Sequence, residues 1–212
     1  MYSKDYYSIH DENSYKSATV ILNQLSNYIS PSSIIDWGCG SGTWCKAAIE
    51  IWNASIIGID QHDFDGYQMY ISQSNYRKED IRKEIWVNKV ELAICVEVIE
   101  HIDEYYEDAV IDNICSCSDT ILFSGALPFQ GGTGHINEKP YSYWVKKFRE
   151  RGYNLDDRIR RDIWDNSDVE IWYRNNIMLL KKVKTIKIQE QYPLDIIHPD
   201  MLYRILKKRG AI

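Results

Sequence analysis

The chain has 212 residues, 44% of them hydrophobic and 26% charged, with a formal net charge of −6. That length and balance suit one globular domain with a real core and exclude a disordered chain. No run approaches the roughly 18 apolar residues of a membrane span, and the opening MYSKDYYSIHDENSYK lacks the apolar stretch of a signal peptide, so a cytoplasmic protein without membrane contact is expected.

Within SYKSATVILNQLSNYI, residues 14–29, the side chains of Ala18, Ile21, Leu22, Leu25 and Ile29 share one helical face, and Pro31 stops the helix. Ile34 and Ile35 suit a buried parallel strand, and Asp36 ends it where ligands bind in open α/β sheets. Gly38, Gly40 and Gly42 follow in alternation and remove side chains where backbone must approach a bound molecule or turn with positive φ. Thr43 to Trp52, with Trp44, Ala47, Ala48 and Ile51 at helical spacing, reads as the next helix. A dinucleotide fingerprint would need its third glycine at residue 43, where a threonine stands, so a nicotinamide cofactor is not expected.

SIIGID, residues 55–60, is a second buried strand. Its terminal Asp60 stands where a carboxylate can accept both ribose hydroxyls of an adenosine. A short third strand precedes Asp80, and ELAICVEV (91–98) and DTILFSGAL (119–127) supply two more. Helices at 43–52 and about 103–115 lie between strands, which predicts an α/β, doubly wound, mostly parallel sheet.

In FSGALPFQGGTGHINEKPYSYW, residues 123–144, a proline and three glycines precede His135 and Asn137. This reads as a lid over a bound acceptor, or else as a surface loop whose Asn137 caps the helix beginning near Tyr141. That helix spans 141–153 with Gly152 as its stop, and IWYRNNIMLLKK, 171–182, is expected to be a late strand. Residues 181–212 carry eight Lys or Arg against three acids. A solvated helix face on LYRILKKRG accounts for this better than an anionic partner, and the acidic remainder argues against nucleic acid. The five cysteines have no zinc-like CxxC spacing and are expected to be reduced and structural; Cys115 and Cys117 are the pair to watch for a metal.

An acid at a strand end followed by GxGxG resembles motif I of the class I S-adenosylmethionine-dependent methyltransferases, and CVEVIEHI, residues 95–102, resembles their motif IV. The resemblance covers roughly residues 32–130 and implies a seven-stranded sheet with a reversed last strand. It implies S-adenosyl-L-methionine as cofactor, bound by Asp36, Gly38, Gly40, Gly42, Asp60, Asp80, Ile81 and Val96, with Asp80 at the adenine amino group, Ile81 on its ring and the fourth strand's end facing the methyl group. GGTGHINEKPYSYW and RRDIWDNSDVEIWYRNNIMLL together resemble a subgroup of bacterial and phage methyltransferase domains, which fixes no acceptor.

Methyl transfer from a sulfonium is an in-line displacement that chiefly needs positioning and exclusion of water. For a hydroxyl or amine, His101 is the candidate base, oriented by Glu97 one turn earlier, with His135 beyond the lid glycines. The expected acceptor is a small molecule or glycan. Glu97, Glu100, His101 and His135 also resemble the metal set of RNA ribose methyltransferases that modify small-RNA ends. The HxH stretch of those enzymes is absent and EVxEH occurs without metal, so no metal is assigned. A non-catalytic cofactor-binding scaffold is the third reading.

The chain divides into an N-terminal helical segment over the site (1–31), a cofactor-binding core (32–182) and a basic C-terminal segment (183–212), all one domain, with the oligomeric state left open. Tyr7 and His10 are placed over the site, and the aromatics Tyr2, Tyr6, Tyr7, Trp172 and Tyr173 are candidates for an acceptor pocket.

Overall fold

A computed structural model of the chain describes residues 4–64, 68–186 and 193–212, residues 4–10 by their backbone alone. The side chains of Tyr2, Tyr6, Tyr7 and His10, and with them their expected place at the site, lie outside the described residues. Seven strands run in chain order as β1 (Ser33–Trp37), β2 (Ser55–Asp60), β3 (Tyr76–Lys78), β4 (Leu92–Val96), β5 (Thr120–Ser124), β6 (Tyr153–Asp156) and β7 (Met178–Lys182). They form one sheet in the order β3-β2-β1-β4-β5-β7-β6, with β7 antiparallel to both neighbours and the other pairs parallel.

The helices α1 (Lys4–Leu25), α2 (Thr43–Trp52), α3 (Glu107–Cys117), α4 (Tyr141–Arg149), α5 (Arg158–Ile163), α6 (Ile171–Asn176) and α7 (Pro199–Lys208) cover both faces. Alternation along β1 shows how one strand feeds two cores. Ile34 faces Leu22 and Leu25 of α1 and Ala47 and Ala48 of α2, whereas Ile35 and Trp37 face Val110 and Ile114 of α3 and Trp144 and Phe148 of α4. Every one of these side chains is buried. No helix among the described residues is long and apolar enough to cross a membrane.

Several expected boundaries move. The first helix begins at Lys4, ten residues before the expected start at Ser14, and ends at Leu25, well before Pro31. The expected strand over 171–182 is a helix, α6, followed by a strand of five residues, β7. Ile171, Trp172 and Tyr173 favour strands intrinsically, but burial of Tyr173, Asn175 and Asn176 in tertiary contacts decides the turn. Gly152, at φ 86°, follows the end of α4 and turns the chain into β6, an edge strand of mixed polarity that hydrophobic patterning did not reveal. The basic C-terminal helix exists as α7, with Met201 and Ile205 buried and Leu202 and Tyr203 exposed.

Candidate active site

Strand order reverses between β1 and β4, which opens a crevice at the carboxyl ends of the strands. A cleft of about 440 Å³ lies there, with Gly38, Asp60, Asp80, Ile81, Glu97 and His101 in its lining. A hollow of about 630 Å³ at the opposite ends, lined by Pro31, Lys89, Glu91 and Asp119, is larger. Its polar groups are already committed: Glu91 accepts from the N–H and hydroxyl of Ser32, and Lys89 stands 3.7 Å from Asp119. The smaller cleft, where Asp60, Asp80, Glu97 and His101 converge at the carboxyl ends of the strands, is the candidate site.

The glycine loop is shaped by its own backbone. Gly38, Gly40 and Gly42 all have positive φ, at 76°, 53° and 85°. A Cβ on Gly38 would lie 2.6 Å from the Val98 side chain, and one on Gly42 would lie 2.9 Å from Ile71. The amides of Gly38 and Cys39 both donate to the carbonyl of Ile59, at 2.7 and 3.1 Å, which pulls the loop across the end of β2. From the other side, Asp11 of α1 accepts the hydroxyl of Ser41 at 3.0 Å, so the N-terminal helix reaches this loop.

Asp60 holds the loop with one oxygen and a neighbour with the other. Its Oδ2 accepts the Gly40 amide at 2.9 Å, while Oδ1 accepts the His62 amide at 3.2 Å and contacts His62 Nδ1 at 2.6 Å. Taking two further hydroxyls requires His62 to release Oδ1, since each carboxylate oxygen offers two lone pairs. Asp80 and Ile81 both line the cleft. The Arg82 guanidinium grips Asp80 through two contacts of 2.7 and 3.0 Å and holds its carboxyl below the usual range. Asp36 lies behind the loop: it is 4% exposed and accepts the Cys45 thiol at 3.3 Å. Burial, reinforced by the Asp60 charge, pushes its carboxyl up to about 7. Val96 is the last residue of β4, half-buried against the α1 and α2 side of the sheet.

At the other end of the cleft, Glu97 sits just past β4 with φ 55°, an uncommon conformation for a side chain that is not glycine. Its amide donates to Ser124 Oγ at 2.9 Å. Its carboxylate accepts from Ser124 at 2.8 Å, Asn176 at 3.2 Å and Gln130 at 3.2 Å. These clamps come from β5, α6 and the following loop, so Glu97 is fixed by them and not by the His101 ring. His101 is instead oriented by the backbone, its Nδ1 donating to the Gly134 carbonyl at 3.3 Å. Burial, and after it the nearby His135, pushes the His101 imidazole below its ordinary value.

The loop at 131–137 does reach over His101. His135 meets it edge to face with ring centroids 4.9 Å apart, and His135 Nδ1 contacts Glu138 Oε1 at 3.0 Å. Asn137 neither faces the cleft nor caps α4: it is buried and donates to Glu107 at 3.1 Å. Beneath the pair, Glu100 is fully buried, with both carboxylate oxygens lacking a hydrogen-bond partner among the described residues. Burial, and after it the neighbouring Glu97, pushes its carboxyl well up. All five cysteines are free thiols, and among the described residues Cys115 and Cys117 join no cluster of convergent metal ligands. Sequence reasoning missed Gln130, Asn176 and Glu138. Gln130 and Asn176 bear on Glu97 from 33 and 79 residues away, and no local pattern marks them.

No protein-family model matches the chain, and no curated protein sequence matches it. Solved structures do. Magnesium protoporphyrin IX methyltransferase from Synechocystis, with bound S-adenosylmethionine, is 16% identical over 81% of this chain and 80% of its own, with a TM-score of 0.59. The O-methyltransferase from a trans-AT polyketide synthase multienzyme of Brevibacillus brevis, in complex with S-adenosylhomocysteine, is 14% identical over 92% and 83%, with a TM-score of 0.59. A structure described as a pericyclic reaction enzyme also aligns, 14% identical over 77% and 47%, at a TM-score of 0.54. The chain has the class I methyltransferase fold, and that fold carries more than one chemistry.

Proposed function

We propose that this chain, with its class I methyltransferase fold, is an S-adenosylmethionine-dependent methyltransferase of the cytoplasm acting on an oxygen or nitrogen of a small molecule or glycan. The observation that carries the reading is the meeting, in one cleft at the switch point, of Gly38 from the glycine loop, the Asp60 carboxylate, Glu97 and His101, whose ring His135 backs edge to face. The cleft fits the donor: Gly38 and Gly42 leave no room for a Cβ, Asp60 offers a carboxylate for ribose hydroxyls, and Ile81 offers an apolar surface for a base. Asp36 would support the loop from behind, and Gly40 and Val96 would border the ligand.

When bound, the donor supplies an electrophilic methyl group on a sulfonium. The acceptor's lone pair forms the new bond to that carbon as the carbon–sulfur bond breaks and its electron pair returns to sulfur. The protein's part is positioning. Glu97, immobilised by Ser124, Gln130 and Asn176, gives the acceptor end a fixed negative group, and His101 and His135 face it with their Nδ1 atoms already engaged. Activation of the acceptor falls to these three residues. Small-molecule acceptors are supported by the neighbouring structures, one named for magnesium protoporphyrin IX and another, from human, for N-acetylserotonin.

Calorimetric titration of the purified chain with S-adenosylmethionine and S-adenosylhomocysteine tests the reading, with Asp60→Ala as control. Micromolar binding weakened at least about tenfold in the variant is expected, since charged hydrogen bonds are worth roughly 1.5–3 kcal/mol each. A folded wild-type protein that binds neither compound overturns it.

A further inference from the structure

We infer that Glu100, His101 and His135 form a binding site for a divalent transition-metal cation that presents the acceptor oxygen to the methyl donor. The role at the acceptor rests on the methyltransferase reading; the cation site itself does not. One ligand atom from each of the three residues lies within 4.8 Å of the others. They come from two separate elements, the 3-10 turn Ile99–His101 after β4 and the loop after β5. The backbone carbonyl of Glu100 accepts the amides of Ile136 at 2.8 Å and Asn137 at 3.1 Å, which ties those elements in register.

Glu100 is the independent observation. Its carboxyl is fully buried, neither oxygen has a hydrogen bond of normal geometry among the described residues, and the Glu97 carboxyl crowds it; such a group is costly without a cationic partner. Two imidazoles converge on it, and their tautomers follow from their other contacts. A carbonyl can only accept, so His101 Nδ1 carries the proton it donates to Gly134. Glu138 fixes His135 in the same sense, and is itself held by the amides of Gly131 at 2.6 Å and Phe129 at 2.8 Å. Each ring therefore keeps its lone pair on Nε2. A ring with one N–H tied to a carbonyl or carboxylate and the other nitrogen free is the outer arrangement of metal-binding histidines.

The loop glycines make room for this geometry. A Cβ on Gly132 would lie 2.2 Å from His135 Nε2, and one on Gly134 would lie 3.4 Å from His101 Nδ1. A general base needs one imidazole, and nothing in proton transfer calls for a second ring above an unpaired buried carboxyl. Two nitrogens and one carboxylate oxygen select first-row divalent ions such as zinc, cobalt, iron or manganese over magnesium or calcium. Loading draws the outermost pair of ligand atoms in by up to roughly 1.5 Å, given metal–ligand distances of about 2.0–2.2 Å.

Three protein ligands leave a coordination position open, and His101, which lines the cleft, puts the cluster at the acceptor end. A hydroxyl bound there loses its proton to solvent more readily. The resulting oxygen anion takes the methyl carbon while the carbon–sulfur pair returns to sulfur. His101 and His135 then act as ligands rather than proton acceptors, Glu138 is a positioning residue, and the favoured acceptor atom is oxygen rather than an amine nitrogen.

The test uses the full chain, freed of metal by chelation and dialysis, titrated with cobalt(II) under visible spectroscopy and with zinc(II) by calorimetry. Uptake of one equivalent with d–d absorption bands is expected. His135→Ala and Glu100→Gln should each weaken uptake by a hundredfold or more, and Glu138→Gln by about 10- to 100-fold. Because His135 and Glu138 are not in the lining of the donor cleft, S-adenosylmethionine titrations of those two variants should match wild type. A folded protein that binds S-adenosylmethionine but takes up no stoichiometric cobalt or zinc overturns the cation site alone. So does uptake equal in wild type and Glu138→Gln, a variant that changes one partly exposed side chain and keeps its size. Metal uptake without donor binding would instead overturn the methyltransferase reading.

Discussion

Asp36 turns its carboxyl into the protein, where it is 4% exposed and titrates at about 7 because burial penalises its ionised form. An unfolded chain ionises this group near 3.8, so between pH 4 and 7 the folded state holds a proton that the unfolded state has released. The group's contribution to stability is therefore greatest below about pH 4, falls as pH rises to 7, and is constant above. A shift of about three units corresponds to roughly 4 kcal/mol. Asp36→Asn keeps an acceptor for Cys45 and removes the titration. We expect the variant's stability relative to wild type, from urea unfolding, to climb across pH 4–7 and level off above; a flat difference would show that Asp36 ionises freely when folded.

Among the elements, α7 is tied to the loop that reaches over His101. Lys208 donates to the carbonyls of Gln130 at 3.3 Å and Gly131 at 2.8 Å, and the Arg209 guanidinium lies 4.0 Å from the Phe129 ring centroid. The amphipathic helix is anchored by Met201 and Ile205, so its basic end serves as a strap on the loop as well as a solvated face. Lys208→Met is expected to speed hydrogen exchange of the Gly131–Gly134 amides roughly fivefold while β1, β4 and β5 stay protected, as for the loss of two solvent-weakened hydrogen bonds together worth about 1 kcal/mol. Unchanged loop exchange would mean that Glu138 and the backbone hold the loop without α7.

At the scale of the molecule, one sheet buries two cores and opens the cleft where strand order reverses between β1 and β4, so a ligand bound at that point bears on the stability of the whole domain. A ligand that binds only the folded state at 100 times its Kd stabilises it by about 2.7 kcal/mol. For a chain of this size that raises Tm by roughly 5–10 °C. Differential scanning fluorimetry should show that rise for S-adenosylmethionine and none for NAD. An equal response to both would argue against the donor assignment.

The sequence by itself determined the parallel core and the glycine loop at its carboxyl edge. Asp36 one residue before the end of its buried strand, Asp60 at the end of the next, glycines at alternate positions and the acid-tipped segment before Ile81 are local signals, written within a few residues of what they build. Tertiary structure decided the rest, because the deciding contacts join distant parts of the chain. The helix at Ile171–Asn176 follows from Asn176 meeting Glu97 and Gln130, against the intrinsic preference of its aromatic and β-branched residues. His101 and His135 could be nominated from sequence. That one ring is oriented by Gly134 and the other by Glu138, beside the buried Glu100 carboxyl, emerges only when two loops close on each other.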